Sequence, residues 1–73
     1  MTVKEINIKE EFIRLDSLMK LSDLVATGGH AKILIQDGEV KVNGSVCTMR
    51  GKKMRNGDFL DFEGQRIVVK NAD

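Results

Sequence analysis

The stretch Thr27-Gly28-Gly29-His30-Ala31-Lys32-Ile33-Leu34-Ile35-Gln36-Asp37-Gly38-Glu39-Val40-Lys41-Val42-Asn43-Gly44 changes its hydrophobic period halfway along, and that change decides the fold. Up to Asp37 the apolar residues recur at helical spacing. Ala31, Leu34 and Ile35 make one stripe, with Lys32 on the opposite side. Thr27 is placed to cap this helix, because a threonine hydroxyl just before the first turn accepts from an amide that has no partner inside the helix. The helix is expected over about 29–37, ended by Asp37-Gly38. Beyond Gly38 the rhythm is two-fold: Val40 and Val42 face one way, and Glu39, Lys41 and Asn43 the other. Asn43-Gly44 then marks a hairpin, since a type I′ turn needs positive φ at both central residues.

N-terminal to this stretch, Leu15, Leu18 and Met19 fall at i, i+3 and i+4, so a first amphipathic helix is expected over 15–22, broken between Ser22 and Thr27. Residues 3–8 alternate loosely and suggest a short strand. On the other side, 45–49 is the partner strand of the hairpin. Arg50-Gly51-Lys52-Lys53 reads as a basic loop and Asn56-Gly57-Asp58 as a turn. Phe59, Leu60 and Phe62 open a third strand, which turns at Glu63-Gly64-Gln65 into Arg66–Lys70. The expected architecture is α+β, two short helices packed on a small antiparallel sheet, in one domain over 1–73.

The overall net charge of +1 hides an uneven distribution. Residues 28–57 carry six basic side chains against two acidic ones, whereas the rest of the chain carries six against nine. A basic face on an otherwise acidic module fits a polyanion. Two glycines at the start of the second helix leave amide N–H groups unscreened where the helix dipole is positive, and Lys32 is within a turn of them.

Catalysis finds little to work with. His30 is the only histidine and Cys47 the only cysteine, so neither a histidine pair nor a multi-cysteine zinc site can be assembled. Gly28-Gly29 followed by Lys32 lacks the ending of a nucleotide-binding P-loop. Glu10, Glu11 and Asp16 lie near the start of the first helix, where the dipole favours negative charge. Cys47, in an apolar-flanked run, is expected to be a half-buried small hydrophobe. No apolar run reaches the length of a membrane span or a signal peptide, which points to a cytoplasmic protein. Neither enzymatic activity nor a cofactor, metal or small-molecule substrate is expected.

Arg14-Leu15-Asp16, Gly29-x-Ala31-Lys32-x-x-Ile35, Gly38-x-Val40-x-Val42-Asn43-Gly44 and Gly57-Asp58, in this order, resemble the RNA-binding domain named after small-subunit ribosomal protein S-four, also called the alpha-L motif. The likeness spans about residues 12–63 and is greatest to the free-standing bacterial YaaA or YbcJ type. It implies a non-catalytic protein, acting as a monomer on structured RNA, often ribosomal, in ribosome assembly or translation. Carried over by position, the RNA contacts would come from Gly28, Gly29, His30 and Lys32 at the second helix. Lys41 and Asn43 follow on the strand, then Arg50, Lys52 and Lys53 in the loop, with Lys20 from the first helix. One position departs: many members have an arginine where this chain has Gly28, which shifts the burden to backbone amides and the Arg50 loop.

There is no tyrosine or tryptophan, and Phe12, Phe59 and Phe62 sit where core packing accounts for them. Base stacking on aromatics is therefore not expected, and structured RNA is favoured over single strands. Two other classes fit the size. A small protein-binding adaptor would turn the basic face to an acidic partner. A β-grasp sulfur carrier would need a terminal glycine pair, where this sequence reads Lys70-Asn71-Ala72-Asp73.

Overall fold

The computed structural model describes residues 1–71; the expectation resting on Ala72 and Asp73 lies outside them. In chain order the elements are β1 (Thr2–Ile8), β2 (Ile13–Arg14), α1 (Leu15–Leu21), α2 (Gly28–Gln36), β3 (Lys41–Val42), β4 (Ser45–Val46), β5 (Lys53–Met54), β6 (Phe59–Phe62) and β7 (Gln65–Asn71). Five strands form the main sheet in the order β1-β7-β6-β3-β4, and β2 and β5 make a separate two-stranded ribbon. The expected plan of two helices on a small sheet is present.

The sheet departs from the expectation in one pair. β6 runs antiparallel to β3 and β7, but β1 lies parallel to β7, in a register running from Thr2 opposite Gln65 to Ile8 opposite Asn71. The sheet is therefore mixed. An alternating sequence says which side chains turn inward and nothing about strand direction. A parallel neighbour requires a long crossover, and here everything between β1 and β7 supplies it.

Periodicity places the core well. Leu15, Leu18 and Met19 from α1 and Ala31 and Ile35 from α2 are buried against Val40, Met54, Leu60, Ile67 and Val69. Leu34 is only half-buried, at the margin of the α2 stripe. Thr27 caps α2 as expected, its Oγ1 accepting from the His30 amide at 3.1 Å. Between the helices the buried Ser22 hydroxyl donates to the Leu18 carbonyl at 2.7 Å. The hairpin turn has positive φ at both Asn43 (50°) and Gly44 (90°), the geometry its sequence predicts. Cys47 is half-buried.

The phenylalanines are a correction. Only Phe62 joins the core. Strand alternation sends Leu60 and Phe62 inward and leaves Phe59 on the outer side, where the Arg66 guanidinium covers its ring at 4.3 Å. Arg66 also donates to both oxygens of Asp61, at 2.8 and 3.1 Å, and this carboxylate pushes its pKa up. Phe12, half-buried outside the core, lies under Lys53 Nζ (4.9 Å) and close to the Arg55 guanidinium (5.7 Å).

The Arg50–Lys53 segment is not the open loop its glycine suggested. It is zipped along the start of α1: the Leu15 amide donates to the Lys52 carbonyl at 2.8 Å, the Asp16 amide to the Arg50 carbonyl at 3.1 Å, and Arg14 pairs with Lys53 in the ribbon. Main-chain pairing across the molecule thus fixes where Arg50 can reach.

Candidate nucleic-acid interface

The candidate face is built around one carboxylate. Asp16 sits in the first turn of α1, 5% exposed, and two arginines converge on it. Arg50 Nε donates to Oδ2 at 2.9 Å, and Arg14 joins it, with Nη2 donating to the same oxygen at 3.4 Å and Nε 3.4 Å from Oδ1. Burying a carboxylate is costly unless it is paired and hydrogen-bonded, and here the pairing is double. Both arginine side chains remain substantially exposed, at 52% for Arg14 and 39% for Arg50.

A guanidinium carries five N–H donors in a rigid plane. Arg50 spends Nε on Asp16, which leaves its Nη edge free and fixes the direction in which it points. That direction is toward α2, since a Cβ built at Gly28 would lie 3.9 Å from Arg50 Nη2. Arg14, Asp16, Ser17, Lys20, Gly28 and Arg50 together line a hollow of about 240 Å³. The first amides of α2 have no partner within the helix, apart from the one Thr27 takes, and they add the positive end of the helix dipole to the same place. The Arg50 side chain therefore stands beside the start of α2 at Gly28.

Neither helix-start glycine is demanded by the interior. A Cβ at Gly28 or Gly29 would meet only ordinary contacts at 3.9 Å, and neither has positive φ. What a bare backbone does here is leave the amides open to something from outside.

Of the residues expected to contact a ligand, Lys20, Gly28 and Arg50 come together in this hollow. Gly29, His30 and Lys32 follow on the exposed first turns of α2. The others are dispersed. Lys52 lines a separate hollow with Asn43, Val46, Cys47 and Met49. Lys53 is held over Phe12. Lys41 lines a third hollow with Asp61, which Arg66 already pairs, and with Glu39 and Glu63, so its positive charge is locally outnumbered by the two glutamates. Asn43 is engaged within the fold: Nδ2 donates to Asp58 Oδ1 and Oδ1 accepts from the Phe59 amide, both at 3.1 Å. Arg14 and Asp16 were missed as site residues. They stood in the sequence as part of a motif, but the arginine that Asp16 accepts from is thirty-four residues further on.

Among the described residues no cluster of three or more histidine, cysteine or acidic side chains could hold a metal ion. No described helix is long and apolar enough to cross a membrane.

Comparison with known proteins shows what the chain is similar to. The family model described as the S4 domain matches residues 6–70. A Bacillus subtilis protein named "Probable ribosome maturation protein RlbA" is 39% identical over 59 residues, covering 81% of this chain and 83% of its own. YbcJ of Escherichia coli is 36% identical over 61 residues, covering 84% and 87%. The solution structure of YbcJ, described as revealing an alpha-L motif involved in RNA binding, superposes with a TM-score of 0.67 at 33% identity, over 96% of this chain and 87% of that one.

Proposed function

The chain belongs to the S4 domain family, and from that premise we propose that it is a non-catalytic RNA-binding protein, taking structured RNA on the face built around Asp16. One observation carries the reading: Arg14, Lys20, Arg50 and the open start of α2 at Gly28 line a single hollow, with Arg50 pre-aimed by a buried carboxylate. A guanidinium edge beside unscreened amides suits a phosphate oxygen, which accepts from both. Lys32 and His30 extend the contact along α2, and Lys52 and Lys53 extend it along the backbone of the RNA.

Ribosomal RNA is the structured RNA we favour, with ribosome assembly in the cytoplasm as the process and a monomer as the acting form. Support for this comes from the ribosome-maturation name of the Bacillus relative. Shape and phosphate spacing supply the selectivity, as is usual where A-form RNA is read from its backbone.

Titration against a ribosomal RNA fragment across a salt series tests the proposal. Each neutralised phosphate contributes about −0.7 to −0.9 to the slope of log affinity against log salt, so three to five contacts give roughly −2 to −4.5. A flat response, or affinity for an acidic protein with none for RNA, would replace this reading with that of an adaptor.

A further inference from the structure

A second hollow, of about 480 Å³, adjoins the arginine pocket and is lined by Ile13, Ser17, Lys20, Leu21 and Asp23. Ser17 and Lys20 line both, so the two are neighbours. Their chemistry differs. The first has three basic side chains and Asp16 in its wall. The second has Ile13 and Leu21 as its apolar wall and one carboxylate at its edge.

Leu21 is 55% exposed, whereas Leu15, Leu18 and Met19 of the same helix are fully buried. Asp23 makes no ion pair among the described residues, although it lies beside a basic pocket. A face that met phosphate alone would gain nothing from an unpaired carboxylate, which repels it. A nucleobase is different, because its ring is apolar and its edge carries N–H donors.

We propose that this hollow is a base-recognition subsite, in which one unpaired nucleotide of the bound RNA lays its base against Ile13 and Leu21 and offers its N–H edge to Asp23. Lys20 and Ser17 lie between the base and the phosphate held by Arg14 and Arg50. Guanine fits best: N1–H and the exocyclic amino group form adjacent donors that a carboxylate accepts as a pair. Adenine and cytosine offer the amino group alone. Uracil offers one N–H flanked by two carbonyls, which the carboxylate repels. The preferred RNA therefore has a bulged or looped-out guanosine beside a helix, the kind of feature through which proteins read RNA sequence.

This inference rests on the arginine pocket being a phosphate site, and the experiment separates the two. RNA hairpins that are fully paired, or carry a single bulged G or U, are titrated by fluorescence anisotropy at fixed salt. The bulged-G hairpin is expected to bind roughly tenfold or more tightly than the bulged-U hairpin, the discrimination a bidentate base contact provides. Asp23→Asn should abolish that preference while leaving the fold intact, because Asp23 has φ of 63° and asparagine tolerates the left-handed region equally well. Leu21→Ser should lower bulged-G binding to the level of the paired hairpin. Equal affinity for all three hairpins, with binding still weakened by Arg50→Ala, overturns the subsite and leaves the phosphate site standing. Loss of all RNA binding by the unmodified protein overturns both.

Discussion

Arg50 Nε donates to Asp16 Oδ2 at 2.9 Å, joining the start of the basic segment to the first turn of α1 across thirty-four residues. The contact does two things together. It compensates a carboxylate that is 5% exposed, and it turns the remaining Arg50 donors toward the start of α2.

Replacing Asp16 with asparagine raises the positive charge of the pocket by one unit, so charge alone predicts tighter RNA binding. The geometry predicts the reverse. Without the carboxylate neither arginine is held in direction, and a wandering guanidinium must be ordered on binding at an entropic cost. Affinity should fall severalfold. Stability in urea should drop by about 1–3 kcal/mol, the worth of a hydrogen bond to a charged group. Tighter binding by Asp16→Asn would show that the arginines act as bulk charge.

Arg50→Ala and Lys41→Ala remove the same charge from different surroundings. Arg50→Ala should weaken RNA binding by about three- to tenfold and reduce the magnitude of the salt slope by about 0.7–0.9, one phosphate contact. Lys41→Ala should change affinity less than twofold, because Glu39, Asp61 and Glu63 share its hollow. Parallel salt titrations of the two variants make the comparison.

Asn43→Ala separates a structural asparagine from a ligand-binding one. It removes two side-chain hydrogen bonds that join the β3–β4 turn to the start of β6, and puts a Cβ-bearing residue with no polar group at φ 50°. About 2 kcal/mol of stability should be lost, a large fraction for a domain of this size. At a temperature where the variant is folded, its RNA affinity should match that of the parent. A deficit there would make Asn43 a direct contact.

Gly28→Ala reverses the usual coupling of stability and function. The Cβ meets nothing closer than 3.9 Å, and alanine loses less backbone freedom on folding than glycine, so thermal stability should rise by about 0.5 kcal/mol. RNA affinity should fall at the same time, because the methyl group stands beside the amides and Arg50 Nη2. Unchanged affinity would mean that no ligand atom approaches this backbone.

Much of the fold was legible because its signals are local. Ala31 and Ile35 are buried and Lys32 is exposed as the helical period requires, Thr27 caps α2, and Asn43-Gly44 turns the hairpin. In each case the residues that interact are close in sequence, so their spacing contains the geometry. The phenylalanines failed for the same reason seen from the other side. Their chemistry favours burial, but the strand phase at Phe59 and the position of Phe12 outside the core decide otherwise.

The family, the two helices and the basic character of the face reside in residue types and short spacings, so the order of residues is enough to read them. The parallel placement of β1 on β7, the zipping of residues 50–54 along β2 and α1, and with it the meeting of Arg50, Asp16 and Gly28 arise from packing in three dimensions. Those contacts join residues far apart in the chain. Charge counting put Lys41, Lys52 and Arg50 on equal terms. Packing placed Arg50 beside an open helix end and Lys41 among carboxylates, because a side chain acts through its neighbours in space and one-dimensional spacing does not contain them.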